Sequence, residues 1–288
     1  MPRGPGWGIL QGMATPWDRA AAGYVEEWVP RFVPYHLDLI HELALAPGQR
    51  VLVTSCGPGS EVLAAARAVG DNGVVRATDK SVAMVGLCDS AAKKAGFLRI
   101  GTAVADAADA SGGPWDAVVC AFGLWQLEGR AEVMRKWGAS LSPAGKVGIL
   151  TWGPPDVDDP FEMLARTLVE VEPEYSAPRP QIEATREAMG TLFEQSGLAM
   201  VRHTVVRHVL TFRTAESFVR ALREGCTWRR IWEEIGDSRL ERVAAKFYDL
   251  VGGPDAPLSF APPATLAIAA RPGAEVELAH RPSIRAPR

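Results

Sequence analysis

The chain has 288 residues, 47% of them hydrophobic, with 31 basic against 34 acidic side chains and a formal charge of −3. That length can bury a large core, which favours one α/β domain with an appended helical cap over two independent domains. A pI near 6.0 leaves no global basic footprint, arguing against nucleic acid as a partner, and no apolar run is long enough to span a bilayer.

Residues 1–14 are rich in Gly and Pro and lack the apolar stretch of a secretory signal, so a flexible extension and a cytoplasmic location are expected, with Met13 as an alternative start to Met1. Thr15-Pro16-Trp17-Asp18 then reads as a helix start, with Thr15 as cap, Pro16 in the first turn and Asp18 at the positive end. Trp17, Ala21, Tyr24 and Trp28 share one face, and Pro30 is expected to end the helix. A second pattern through Phe32, His36, Leu39 and Leu43 runs to Pro47-Gly48.

Val51-Leu52-Val53-Thr54-Ser55-Cys56-Gly57-Pro58-Gly59-Ser60-Glu61 takes an apolar strand through a Gly-x-Gly turn into a helix, the form of a nucleotide-binding βα corner. A second short strand over 74–78 ends at Asp79, about twenty residues past the glycines, where a carboxylate can hold two ribose hydroxyls. A third acid, Asp106, follows another apolar run. Three strand ends that deliver polar features to one sheet edge describe a site for an adenosine-containing cofactor. A dinucleotide fingerprint would continue with a small residue where Val62 stands, which weakens a dehydrogenase reading.

Trp115-Asp116-Ala117-Val118-Val119-Cys120-Ala121-Phe122-Gly123-Leu124 reads as a fourth strand, and Leu141-Ser142-Pro143-Ala144-Gly145-Lys146-Val147-Gly148-Ile149-Leu150-Thr151-Trp152 as a turn and a fifth. After a Pro- and Asp-rich loop over 153–160, helical patterns at 161–171 and 184–196 lead to Gly197. Residues 201–212 then alternate as one strand. Thr214 caps a helical insertion with the stripes Trp228, Ile231, Trp232, Ile235 and Leu240, Val243, Phe247, Val251, and 264–270 supplies a last apolar strand.

Over residues 17–152 this series resembles the class I S-adenosylmethionine-dependent methyltransferases. The likeness is to the small-molecule branch that includes ubiquinone and menaquinone methyltransferases and natural-product O-methyltransferases. It implies a Rossmann-like, seven-stranded, mostly parallel α/β sheet with an antiparallel last strand, helices on both faces and a helical lid. The expected division is an extension at 1–14, lid helices at 15–46, a core at 47–213 and 253–272, a lid insertion at 214–252 and a tail at 273–288. The implied cofactor is S-adenosyl-L-methionine. Ser55, Cys56, Gly57 and Gly59 would line its methionine portion, Asp79 its ribose with Lys80 alongside, and Asp106 and Ala107 its adenine edge. Met84 would pack beside adenine, although a methionine at helical spacing is ordinarily core. Cys120 and Phe122 would border the cofactor from the fourth strand, and Tyr24 would approach its carboxylate. The family usually has an acid where Val53 stands and a glycine where Ser55 stands. Glu61 or a backbone carbonyl is then left to receive the ammonium group.

For substrate, Trp17, Trp125, Trp228 and Trp232 are the pocket candidates, whereas Trp115 and Trp137 read as packing. His36 is the candidate general base. His203 and His208 lie five apart on one strand and face opposite sides. Asp156, Asp158 and Asp159 read as a solvated turn, with no metal expected. The cysteines Cys56, Cys88, Cys120 and Cys226 form no C-x-x-C pair and are expected as buried thiols. No Asn- or Asp-Pro-Pro-aromatic segment follows the fourth strand, so a macromolecular acceptor is disfavoured. The resulting expectation is O-methylation of an acidic enol or phenol on a small apolar metabolite, as in secondary metabolism. The alternatives are C-methylation of a quinone or polyketide-like substrate, or cofactor binding without methyl transfer.

Overall fold

Alternation along the strands sorts the apolar residues into two layers. Val51, Val53, Val119, Leu266 and Ile268 belong to one core cluster, and their neighbours Leu52, Val118, Cys120, Ala267 and Ala269 to another. A sheet buried on both faces needs helices on both sides. The computed structural model describes residues 15–97, 99–175 and 185–279. The expected extension at 1–14 and the tail beyond residue 279 lie outside them.

The main sheet is built from β1 (Arg50–Thr54), β2 (Val74–Asp79), β3 (Ile100–Val104), β4 (Trp115–Ala121), β5 (Leu141–Trp152), β6 (Ala199–Arg207) and β9 (Pro263–Ala270). Its order is β3-β2-β1-β4-β5-β9-β6. Strands β1 to β5 pair in parallel, and β9 runs antiparallel to both β5 and β6. This is the expected Rossmann-like arrangement. Helices α1 (Pro16–Glu27) and α2 (Val29–Glu42) precede β1, and α3 (Ser60–Val69) and α4 (Val82–Lys94) follow β1 and β2. The second core cluster collects α5 (Arg130–Ala139) and α7 (Arg186–Gln195), including Trp137 and Phe193, both fully buried. Helix α6 (Pro160–Val171) follows β5, and α8 (Ala215–Arg223), α9 (Cys226–Ile235) and α10 (Asp237–Val251) form the insertion between β6 and β9.

Two expectations are corrected. Pro30 does not terminate the first helix: α1 ends at Glu27, and Pro30 occupies the first turn of α2, where its missing N–H costs no hydrogen bond. The single strand expected over 201–212 is two. β6 stops at Arg207, and β7 (Leu210–Phe212) leaves to pair with β8 (Leu258–Phe260) in a separate antiparallel ladder at the neck of the insertion. Alternation alone cannot show a strand changing partners. The break is held by the fully buried Tyr35, whose hydroxyl donates to the Pro262 carbonyl (2.8 Å) and accepts from the His208 N–H (3.1 Å). Tyr35→Phe leaves that buried N–H and carbonyl without a partner, at roughly 1–3 kcal/mol. A lowered Tm with unchanged far-UV circular dichroism is the expected result.

Candidate functional site

The turn after β1 is shaped by three left-handed residues, Ser55 (φ +51°), Gly57 (φ +47°) and Gly59 (φ +94°). A side chain on Gly59 would place a Cβ 2.7 Å from the Cys88 Sγ, so this glycine lets α3 and α4 close together. A Cβ on Gly57 would meet nothing within 4 Å. Its bare backbone faces open space that a ligand can approach. The Gly57 N–H donates to Asp79 Oδ2 (3.0 Å) and the Ser81 N–H to Oδ1 (2.9 Å), so one carboxylate joins the turn to the end of β2. Burial pushes the Asp79 carboxyl above its ordinary range, against the pull of these N–H donors. Each oxygen keeps a second lone-pair direction for a hydroxyl.

Next along the edge, Lys80 Nζ pairs with Asp106 (2.8 Å), and the Ala108 N–H donates to the same carboxylate (2.8 Å). Despite partial desolvation, these contacts hold the Asp106 carboxyl low. Ala107 is buried, and its carbonyl accepts the Trp137 indole N–H (2.7 Å), fixing the backbone at this strand end. Met84 is buried in α4 at 2% exposure.

Helix α1 is fastened over this edge by Asp18. One Asp18 oxygen completes the capping box with Thr15, and the other accepts from the Ser81 hydroxyl (2.6 Å) and the Ala83 N–H (3.0 Å). The same carboxylate therefore caps two helices. The Thr15-x-x-Asp18 pattern signals the first cap, but nothing in the sequence signals the second. The Trp17 indole N–H donates to Gln126 in the turn after β4, tying α1 to the opposite strand end. From Trp17 an unbroken series of ring contacts passes to Tyr24 (5.4 Å), Phe32 (6.3 Å), Phe122 (5.5 Å) and Trp152, which stacks on Phe122 at 4.4 Å. Phe122 adopts a left-handed φ of +52° at the end of β4. Phe32 and Trp152 were not singled out from the sequence, although each lies on an apolar pattern that was.

Ser55 and Gly123 fit one another. A Cβ on Gly123 would lie 2.5 Å from the Ser55 Cβ and 2.8 Å from its Oγ. Where serine replaces glycine at the end of β1, the facing β4 loop supplies the missing room.

Three ionisable groups gather beneath the turn. Glu61, in the first turn of α3, is 3% exposed, and its Oε2 lies 3.8 Å from Nδ1 of the buried His36 on α2. Among the described residues that Nδ1 has no hydrogen-bond partner. Burial raises the Glu61 carboxyl to about 8, with the nearby Asp79 charge adding to it, and depresses His36 to about 4. Burial, then the charges of Glu61 and Asp79, push the Tyr24 hydroxyl upward. Cys120 is fully buried, and desolvation raises its thiol to about 12; Cys56 and Cys88 are buried free thiols.

The remaining candidates sit elsewhere or have other partners. Trp125 is half-buried in the turn after β4. Trp228 and Trp232 pack on each other within α9 (5.0 Å), and among the described residues no ring contact joins them to the series that begins at Trp17. His208 pairs with Asp38 (2.9 Å), while the Nε2 of His203 is buried without a partner. Asp156 pairs with Arg207, and Asp159 caps α6 through the Phe161 N–H (2.8 Å). Asp158 is exposed. Asp159 is buried rather than solvated, and burial raises it to about 6.

Residues 51–145, from β1 into β5, match the family described as methyltransferase domain. The match spans about a third of the chain, from β1 through the start of β5. Among solved structures, the YcgJ protein of Bacillus subtilis is similar at 17% identity and a TM-score of 0.55, covering 83% of this chain and 100% of its own. An S-adenosylmethionine-dependent methyltransferase from Aquifex aeolicus is similar at 17% identity and 0.52, covering 64% and 91%. The [4+2]-cyclase SpnF is similar at 15% identity and 0.54, covering 85% and 83%. At these identities the likeness is one of fold. Comparison with curated proteins gave no match. The domain match agrees with the methyltransferase resemblance of the sequence, and the solved structures share its fold. The residues present fit S-adenosylmethionine: an open glycine backbone, a carboxylate at the end of β2 and a buried unpartnered nitrogen below the turn.

Two measurements check this geometry. Gly123→Ala should lower Tm, and the loss should shrink in a Ser55→Gly background, with a coupling of about 0.5–3 kcal/mol in the double-mutant cycle. Glu61 has a raised native pKa, so its contribution to stability is complete below about 4.5 and is lost as pH rises through about 8. His36 runs the other way, contributing above about 6.5 and losing that contribution as pH falls through about 4. The Tm advantage of Glu61→Gln over the parent, both without ligand, should therefore be larger at pH 8 than at pH 5.

Proposed function

We propose that this methyltransferase transfers its methyl group to the oxygen of an acidic enol or phenol on a small, largely apolar metabolite, by direct displacement. The observation that carries the reading is the aromatic series from Trp17 to Trp152, which runs from α1 to the ends of β4 and β5, with the buried His36 5.7 Å from Phe122. Aromatic faces accommodate apolar rings and stabilise a sulfonium charge.

Bound S-adenosylmethionine supplies an electrophilic methyl on a cationic sulfur. The chain's part is to hold nucleophile, methyl and sulfur in line and to keep water out. Asp79 would hold the ribose hydroxyls, the Gly57 backbone would let the methionine portion lie close, and Asp106 with Ala107 would bound the adenine. Tyr24 reaches the cofactor's carboxylate end, and α1, α2 and the 214–252 insertion close over the substrate. Burial holds His36 below its ordinary range, and a weak base of this kind suits an acceptor that ionises readily. An enol or phenol meets that need, as in secondary metabolism.

Asp79→Ala should weaken S-adenosylhomocysteine binding in calorimetry by tenfold or more, since hydrogen bonds to a charged group contribute about 1.5–3 kcal/mol each. With labelled donor and a panel of phenols and enolic metabolites, label should appear on oxygen. Label on carbon or nitrogen overturns the acceptor assignment. Cofactor binding without release of S-adenosylhomocysteine across the panel would favour a binding protein.

A further inference from the structure

β1 carries no carboxylate toward the cofactor, because the side chain at position 53 is valine and is wholly within the core. Nearby, Glu61 and His36 are buried together at 4% and 9% side-chain exposure, 3.8 Å apart, with the His36 Nδ1 unpartnered. Burying an acid and an imidazole this way is unfavourable without a ligand that uses them. Among the described residues no lysine or arginine forms a salt bridge with Glu61. The ionisable groups facing it are His36 from α2, Tyr24 from α1, Asp79 from the end of β2, Cys56 from the turn and Cys120 from β4. All are neutral or acidic. The chain itself supplies no positive charge to this carboxyl among the described residues.

We propose that the Glu61 carboxylate is the counter-charge for the ammonium group of S-adenosylmethionine, ionising as the ligand binds and taking over the role left empty at Val53. The proposal rests on the cofactor reading above. On binding, the Glu61 O–H bond breaks, its proton leaves to solvent, and the carboxylate pairs with the ligand's N–H groups. His36 stays neutral beside it. The position of Glu61 in the first turn of α3 favours the anion, because the helix dipole is positive there. Burial raises the Glu61 carboxyl to about 8, so this proton is present to be released at neutral pH.

The test is calorimetry with S-adenosylhomocysteine, which carries the ammonium but cannot react, at pH 6.5 in buffers of different ionisation enthalpy. Adenosine, which lacks the amino-acid end, reports any proton contributed by Asp79. The parent protein should release close to one proton more with S-adenosylhomocysteine than with adenosine. Glu61→Gln should abolish that difference, weaken S-adenosylhomocysteine at least tenfold and leave adenosine affinity unchanged. Equal proton release with the two ligands in the parent protein overturns the proposal, and this arm needs no variant. Glu61→Asp, which keeps the charge on a shorter arm, should retain proton release with weaker binding. Loss of S-adenosylhomocysteine affinity equal to the loss for adenosine would make Glu61 a packing residue only. No binding of either ligand to the parent protein would instead remove the cofactor reading itself.

Discussion

The hydrogen bond from the Gly57 N–H to Asp79 is the contact on which the arrangement of the site depends. It joins the turn after β1 to the end of the neighbouring strand, and it exists only because Gly57 takes a left-handed conformation that turns its N–H toward β2. The other oxygen of the same carboxylate receives the Ser81 N–H, and Ser81 caps α4. Ser81 in turn gives its hydroxyl proton to Asp18 on α1. A chain of polar contacts therefore runs from the glycine turn through two helix starts to the first helix. The polar frame of the candidate site is held together by the chain's own contacts.

Packing around that frame shows how a departure from the family pattern is absorbed. Ser55 stands in a left-handed conformation that an L side chain adopts at some cost. Its Cβ and hydroxyl occupy the volume that a side chain at position 123 would need, and position 123 is glycine. Flexibility removed from one loop is returned in the loop opposite. The acid absent from β1 follows the same logic at longer range, since a carboxylate reappears eight residues later at the start of α3.

Much of the architecture was legible in the sequence because it rests on periodicity and punctuation. The strand-turn-helix at 51–61 and the Thr15 cap are written in local patterns, whereas the reversal of the last strand came from the family resemblance. The separation of β6 from β7 was not legible, because it depends on a tyrosine hydroxyl 173 residues away from the segment it interrupts. Asp79, Asp106 and Glu61 were visible as acids at strand and helix ends. The pairing of Glu61 with His36 was not, since it requires the side-by-side placement of α2 and α3. Asp18 was read as a cap of its own helix, and its second role appears only when α1 is seated on α4. The aromatic series is a further case: Trp17 and Phe122 stood out, whereas Phe32 and Trp152 gain meaning only from the rings they touch.

The position of β9 bears on how the chain is made. All eight of its residues are buried, and it separates β5 from β6, to both of which it is antiparallel. During synthesis β5 and β6 emerge long before it, with the three-helix insertion between. Until β9 leaves the ribosome, the outer edge of β5 is unpaired and β6 has no sheet partner. Open strand edges invite pairing with other chains, and such long-range closure is intrinsically slow. The nascent enzyme therefore passes through a stage in which its exposed edges, rather than its cofactor site, decide whether it folds or aggregates.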